Sequence, residues 1–290
     1  MAWRYLYSRI SYFPAIMTDA FVSSEVDRTK SRWVAKVFKE FGRPKTTLGG
    51  LFYFALSRSI ADYPICGGFV GEIRITRPYH ENDGPKLVKW ADKAQRLDFL
   101  PANALLKEEP GEHTILPEAC SSQRHRLELW LNRSAFNPLL APVCARHGAV
   151  LVSSESISNN LVEQLLNRAA CRTTILCLSD LSLKSFLFCD SLRAALAQAR
   201  HRHAPEIRVH RVGLSPEQVV FWSIPMVSQE KGSKEASRQY KSHLKAYGLD
   251  HKKMAELDAL EAFYPKGIAG FCEDLLTEYG KDISDTKEGA

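Results

Sequence analysis

Between residues 24 and 106 the apolar positions follow the spacing of short helices. Ser24 and Asp27 stand at the spacing of a capping box. A helical apolar stripe follows them until Gly42 and Pro44 end the helix. The stripe consists of Val26, Trp33, Val34, Val37, Phe38 and Phe41.

Two more helices and a short β segment complete this region. Thr46 and Thr47 can cap a helix from Leu48 to about Ser59, and a later helix ends near Arg96. The Gly-punctuated stretch 63–77 between them holds an alternating run, 69–75, which indicates a short strand or wing. Three short helices with a β-wing predict a winged-helix-like domain over residues 24–106, preceded by an N-terminal extension, 1–23.

A polar segment, 107–124, is typical of a linker, and after it strands alternate with helices of ten or more residues. This alternation predicts βαβ units and a mainly parallel sheet, so residues 125–290 are expected to form an α/β domain. The predicted strands are Leu127–Leu131, Ala149–Val152, Thr174–Leu178 and Ile207–Val212. The predicted helices are Phe136–Arg146, Asn159–Ala169, Ser185–Arg200 and, interrupted near Pro265, about Ala255–Tyr279.

The charge is unevenly distributed. Residues 1–60 hold ten Lys or Arg and four acids, an excess that equals the net charge of +6 of the whole chain. A basic front on a neutral body favours an anionic partner, and duplex DNA is the first candidate. The candidate nucleic-acid-binding residues are Lys36, Lys39, Arg43 and Lys45. The alternative is a solvated basic helix face.

Composition excludes several classes of protein. With 45% hydrophobic residues and 16 glycines, the chain is neither disordered nor collagen-like. No apolar run reaches the ~20 residues of a membrane span, so no membrane partner is expected. Seven cysteines without a CxxC motif favour reduced thiols and a cytoplasmic location, nucleoid-associated or nuclear if eukaryotic. Four of them lie in apolar segments: Cys144, Cys171, Cys177 and Cys189.

Three motifs near the C-terminus stand in a specific order. Arg211–Val219 reads R-V-G-L-S-P-E-Q-V, Ile224-Pro225 follows, and Glu256–Leu260 reads E-L-D-A-L. This series resembles the topoisomerase VI A-subunit family, its small relatives on mobile elements, and the related meiotic double-strand-break transesterase. The resemblance implies a winged-helix-type domain with a DNA-attacking tyrosine, a magnesium-holding Toprim domain, and action as a homodimer.

The catalytic motifs of that family are only partly present. Its first Toprim strand ends in V-E-K-D-A-L, whereas Asn132 replaces the metal-binding Glu and Arg133 the Lys in this chain. Its third strand ends in G-D-x-D-P-S-G, of which Asp180 remains and Ser182 replaces the second Asp. Neutral side chains cannot offset the charge of magnesium, which makes this cofactor doubtful here.

Two residues could still complete a metal site. Glu155, just past the second strand, could supply a second acid, although an exposed loop glutamate is the favoured interpretation. Asp180 is the retained catalytic and metal-ligand candidate, and its alternative role is to cap the following helix.

The candidate nucleophile is Tyr53. It stands in an aromatic-Tyr pair, but Gly49 occupies the position of the family's Arg. A tyrosine hydroxyl, with a pKa of about 10, needs a nearby cation or metal to attack phosphate at neutral pH. A core or groove aromatic is therefore the favoured role for Tyr53.

Basic histidine-rich residues form one further cluster, His201, Arg202, His203 and His210, which is more typical of a phosphate-contacting or solvated surface than of a metal site. The sequence as a whole predicts a DNA-associated, non-catalytic binding or scaffold component, acting on DNA or with a DNA-processing partner. Two alternatives remain open. One is an active magnesium-dependent nuclease or transesterase, and the other is a protein-interaction module.

Overall fold

The computed structural model describes residues 24–70, 73–117, 125–169, 172–199, 206–229 and 234–285. The predicted N-terminal extension therefore lies outside the described residues, as do Cys171, His201, Arg202 and His203. The chain divides into two compact units. Among the described residues, the first unit holds those from 24 to 107 with 261–263, and the second those from 108 to 260 with 264–285.

The first unit combines three helices with a β-hairpin. Its helices are α1 (Glu25–Phe41), α2 (Leu48–Ser57) and α3 (Gly84–Arg96), the last preceded by a 3-10 turn (Glu81–Asp83). Strands β2 (Tyr63–Val70) and β3 (Ile73–Arg77) pair antiparallel, and the short strands β1 (Thr46–Thr47) and β4 (Leu105–Leu106) pair parallel.

Capping explains where the first two helices begin. The Ser24 hydroxyl accepts a hydrogen bond from the Asp27 amide, and the Asp27 carboxylate accepts one from the Ser24 amide, both at 3.1 Å. Thr47 accepts from the Gly50 amide at 3.0 Å. Each side chain satisfies an amide that the helix itself leaves unpaired, so the two predicted helix starts are confirmed.

An aromatic core holds the first unit together. The ring of Trp33 on α1 stacks on Tyr79 at a centroid distance of 5.3 Å and meets the edge of Tyr63 at 4.8 Å. Phe52 and Tyr53 on α2 are buried in the same unit, with exposed fractions of 1% and 0%. Burial of such large rings dominates the stability of a small unit.

The second unit contains a five-stranded sheet whose strand order is β5-β7-β6-β8-β9. Strands β6 (His125–Leu131), β7 (Val150–Ser153), β8 (Arg172–Ser179) and β9 (Ile207–Gly213) are parallel, and β5 (His113–Ile115) pairs antiparallel with β7. The predicted mainly parallel sheet is confirmed. One part of the expected linker is corrected, because β5 lies within 107–124 and forms an edge strand of this sheet.

Helices connect these strands. After a 3-10 turn (Ser134–Phe136) come α4 (Asn137–Arg146), α5 (Asn159–Arg168) and α6 (Leu183–Ala199). They are followed by α7 (Pro216–Phe221), α8 (Lys234–Lys245), α9 (Asp258–Phe263) and α10 (Gly267–Asp285). Strands β10 (Val227–Ser228) and β11 (Lys253–Met254) form a small antiparallel pair. The last predicted helix thus consists of two helices, and it starts three residues later than expected.

Apolar side chains cover both faces of the sheet, as expected where helices connect parallel strands. Trp130, Val150, Ile175 and Cys177 pack against α5 and α6, while α4 and α10 pack against each other. None of the helices in these ranges has the length and apolarity needed to cross a membrane.

Candidate functional site at the carboxyl edge of the sheet

Strand register brings the predicted site residues to one edge of the sheet. Leu131 pairs with Ser153 on one side and with Leu178 on the other, and Ser179 pairs with Gly213. Asn132 and Asp180 come directly after β6 and β8, so both lie at the carboxyl edge. In parallel sheets this is the edge where ligands usually bind.

Asp180 is buried at this edge, with only 4% of its surface exposed. Its Oδ1 accepts a hydrogen bond from the Leu257 amide at 2.8 Å, and its Oδ2 one from the Ser185 hydroxyl at 3.5 Å. A carboxylate removed from water needs such donors to offset its lost hydration. Asp180 therefore joins the end of β8 to the chain just before α9.

Ser182 is buried and engaged at the start of α6. Its hydroxyl oxygen accepts a hydrogen bond from the Ser185 amide at 3.2 Å and lies 3.0 Å from the Ser185 hydroxyl. This is the geometry of an N-cap. The capping role considered for Asp180 is thus performed by Ser182, two residues later.

Arg133 links two acids. It forms an ion pair with the buried carboxylate of Asp258, and its Nε donates to Glu108 Oε1 at 2.9 Å. Glu108 Oε2 in turn accepts from the Ala135 amide at 2.9 Å and from the Ser134 hydroxyl at 3.1 Å. We call Arg133, Asp258 and Glu108 the arginine network; it fixes the loop after β6.

The chain from 255 to 258, the closing segment, lies against the end of β8. Leu181 and Ala255 exchange backbone hydrogen bonds of 2.9 and 3.1 Å, an isolated antiparallel bridge. The Tyr240 hydroxyl donates to the Leu181 carbonyl at 2.8 Å. Burial raises the pKa of Tyr240, so this hydroxyl stays protonated and remains a donor. Backbone and side-chain bonds together seat the closing segment on this edge.

The remaining edge residues differ in their environments. Asn132 Oδ1 is buried without a hydrogen-bond partner in the described part of the chain. Glu155 follows β7 and is exposed, which agrees with its favoured interpretation as a loop glutamate. Lys184 is exposed as well. Asn137 Nδ2 donates to the Ser153 hydroxyl at 2.9 Å, a contact that extends the polar edge to β7.

This set of donors does not fit magnesium. Mg²⁺ prefers an octahedron of oxygens that includes one or two carboxylates. Asp180 is bonded to the closing segment, Asp258 is paired with a guanidinium, and Asn132 and Ser182 carry no charge. Across the described ranges, no three His, Cys, Asp or Glu side chains come together as a metal site would require.

Tyr53 is enclosed in the core of the first unit. Its side chain is 0% exposed, and its ring meets the edge of Phe52 at a centroid distance of 5.2 Å. A hydroxyl at this depth is out of reach of a DNA phosphate. The position matches the favoured role of a core aromatic.

Several basic residues in and near the N-terminal helices already have partners within the first unit. Lys36 pairs with Asp62 at 3.0 Å and Glu40 at 3.8 Å. Arg58 pairs with the same two acids, and the Lys30 ammonium lies 3.5 Å from the centre of the Tyr63 ring. Asp62 lies just beyond the 60-residue window in which the sequence shows an excess of charge, so that window overstates the free charge.

The four candidate DNA contacts divide accordingly. Lys39 and Lys45 are exposed, and no ion pair to them is found within the described ranges. Arg43 lies 3.8 Å from Glu261, and only 26% of its side chain is exposed. Lys36 is paired as described above. Two of the four are thus available to an anionic partner without breaking an ion pair.

Sequence reasoning does not identify the partner of Asp258, and it does not identify Glu108 at all. Asp258 belongs to the E-L-D-A-L motif, which marks it as a candidate residue. Nothing in the motif indicates that Arg133 is its partner. Glu108 stands in the polar segment expected to be a linker, and nothing in the sequence there indicates a role at the edge.

His210 from the histidine-rich cluster packs its ring against Tyr279, at a centroid distance of 5.4 Å.

No protein-family model matches the chain, and no curated protein is significantly similar to it.

Proposed function

We propose that this chain is a non-catalytic DNA-binding or scaffold component, related to the topoisomerase VI A group and acting on duplex DNA as a homodimer. The observation that carries the proposal is the closed carboxyl edge of the sheet. Asp180 is bonded to the closing segment, Asp258 is paired with Arg133, and Asn132 and Ser182 carry neutral side chains, which leaves Glu155 as a single exposed loop acid.

The chemistry of DNA cleavage supports a non-catalytic role. Two-metal phosphoryl transfer requires several carboxylates to hold the cations that stabilise the attacking and leaving oxygens. Opening this edge to supply them would break the Arg133–Asp258 pair and expose a buried guanidinium. Tyr53, the candidate nucleophile, is buried in the other unit's core.

Exposed cations supply the DNA-binding part of the proposal. Lys39 and Lys45 project from the first unit, and phosphate contacts of this kind give binding that depends on salt and not on sequence. Phosphate contacts alone are sufficient for a scaffold protein that binds duplex DNA of any sequence.

Two measurements on the full chain test the proposal. Fluorescence anisotropy with a labelled duplex should show binding that weakens steeply as salt is raised. Supercoiled plasmid incubated with the protein and magnesium or manganese should stay uncut.

The absence of binding at low salt would contradict the DNA role. Nicking by wild type that is lost in Asp180→Asn and in Tyr53→Phe would contradict the non-catalytic role. Light scattering that gives a monomer mass would remove the homodimer.

A further inference from the structure

The end of α7 carries an aromatic side chain in water. Phe221 is 82% exposed, the highest value among the exposed large hydrophobic side chains of the described residues, and Val220 beside it is 52% exposed. Val219, on the opposite side of this short helix, is buried at 2% and anchors it. Leaving a phenylalanine ring in water costs about 1.5–3 kcal/mol relative to burying it. A ligand that covers this ring would therefore bind with a more favourable free energy.

The exposed face of α8 is basic. Arg238, Lys241 and Lys245 recur at intervals of three and four residues, so they share one side of the helix, and all three are exposed. The opposite side holds Tyr240 and Leu244, which are at most 1% exposed. In contrast to Lys36 and Arg58, none of the three has an acidic partner within the ranges that the structure describes.

A hydrogen bond joins these two features. Tyr247, two residues after α8 and 37% exposed, donates from its hydroxyl to Glu217 on α7. Glu217 lies one helical turn before Phe221, so the two Cβ atoms are about 5–6 Å apart. The exposed ring therefore lies beside the end of the basic stripe. We call Phe221, Tyr247, Arg238, Lys241 and Lys245 the α7–α8 surface.

Other charged groups face this surface. Glu217 is its acid, and the hydrogen bond from Tyr247 lowers the pKa of that carboxyl, so it stays ionised. Burial and the neighbouring Arg211 lower the pKa of His243, which adds no charge near neutral pH. Further along the chain, Asp250 is followed by Lys252 and Lys253, all three exposed, so the exposed charge after α8 is basic on balance.

We propose that the α7–α8 surface binds single-stranded DNA, with the α8 stripe along the phosphates and Phe221 stacked on an unpaired base. The inference rests on the proposed function and names the form of DNA that this second site takes. A basic track with an aromatic platform is the common design for single strands, because every unpaired base offers a face to stack on. Duplex bases are already stacked and offer no such face, so Phe221 discriminates between the two forms.

The test compares a labelled single strand with its own duplex, using the full chain. Phe221→Ala should weaken single-strand binding roughly tenfold and leave duplex binding unchanged, whereas Phe221→Trp should restore it. Lys241→Ala with Lys245→Ala should weaken single-strand binding and reduce its dependence on salt. Lys107→Ala, which removes an exposed lysine of the first unit, is the matched control and should change neither affinity.

The outcomes separate this inference from the proposed function. Suppose that the wild-type protein binds duplex, and that Phe221→Ala binds the single strand as tightly as the wild type does. The inference is then overturned, and the proposed function stands. Wild type that binds neither form overturns both. A change in oligomeric mass in Phe221→Ala with unaltered DNA affinity assigns the ring to a protein contact and also overturns the inference. Because Phe221 is exposed, its variants should keep the wild-type circular dichroism spectrum and unfolding midpoint.

Discussion

The guanidinium of Arg133 is ion-paired with the carboxylate of Asp258, which lies 125 positions further along the chain. Only 11% and 1% of their side chains are exposed. The pair connects the loop after the central strand β6 to the start of α9. Two charges placed this deep are tolerated only while each compensates the other.

Removal of the arginine should therefore be costly. Arg133→Met leaves Asp258 without its guanidinium and Glu108 without its Nε donor, and we expect the free energy of unfolding to fall by about 3–5 kcal/mol. Urea denaturation followed by circular dichroism measures this change.

A matched variant separates burial from charge. Arg193 forms an exposed pair with Asp190 at 3.0 Å and donates an exposed hydrogen bond to the Val209 carbonyl at 3.1 Å, so Arg193→Met should cost at most about 1 kcal/mol. Equal effects of Arg133→Met and Arg193→Met would show that the buried network does not stabilise the edge.

Gly213, at the end of β9, should not tolerate a side chain. Its φ is 111°, and a Cβ there would lie 2.3 Å from the Ser179 carbonyl oxygen. We expect Gly213→Ala to destabilise the protein by about 3 kcal/mol in thermal or urea unfolding, from overpacking and backbone strain together. Gly42 also has a positive φ, 69°, but open space around it, so Gly42→Ala should cost only about 1–2 kcal/mol. The reverse order would contradict the close approach of β9 to β8.

The four sequence-predicted DNA contacts should not contribute equally. Lys39→Ala and Lys45→Ala should each lower the slope of log affinity against log salt by about 0.9, because each removes one phosphate contact. Lys36→Ala should change the slope less, since its ammonium is already paired with Asp62 and Glu40. Duplex titrations at several salt concentrations check this order, and a Lys36 effect as large as that of Lys39 would refute it.

Asp83 should make stability depend on pH. Burial opposes its ionisation, but hydrogen bonds from Arg77, at 2.6 and 2.7 Å, and from the His80 amide outweigh burial, so its pKa lies below the ordinary 3.8. A carboxyl with a lowered folded-state pKa stabilises the protein above its unfolded-state pKa. That stability is lost as pH falls from about 3.8 through the folded-state value.

Asp83→Asn removes this contribution. We expect it to cost about 1.5–3 kcal/mol at pH 7 and to flatten the acid limb of stability measured by urea unfolding from pH 7 down to acid. Asp92→Asn, at an exposed aspartate of α3, is the control and should leave the acid limb steep. An unchanged acid limb in Asp83→Asn would contradict the assigned role.

Local sequence signals predict much of the architecture. The Ser24–Asp27 capping box and the Thr47 cap set helix starts that the structure confirms. The apolar runs that become β6, β7 and β8 are buried on both faces, and such runs are the signature of parallel strands, whereas the edge strand β9 is only half-buried. These features depend on neighbours within a few residues, so a sequence displays them directly.

Contacts over long sequence distances are not displayed in this way. The sequence near Asp180 does not indicate that its partner is the Leu257 amide. The sequence near Glu108 does not indicate that it pairs with Arg133. Strand β5 has only three residues, and its segment is polar, so the pattern resembles a linker until the sheet supplies the pairing. The 60-residue charge window has the same limit, because Asp62, which contacts both Lys36 and Arg58, stands outside it.

The closing segment also determines the order in which the edge is completed during synthesis. Arg133 leaves the ribosome 125 residues before Asp258, which at ~5–20 residues per second is about 6–25 s. Arg133 waits for Asp258 throughout this interval, and Asp180 waits for the Leu257 amide over the last 77 residues of it, about 4–15 s, so both charges stay in water until the closing segment is made. Translation past residue 258 is therefore the event that lets both charges leave water.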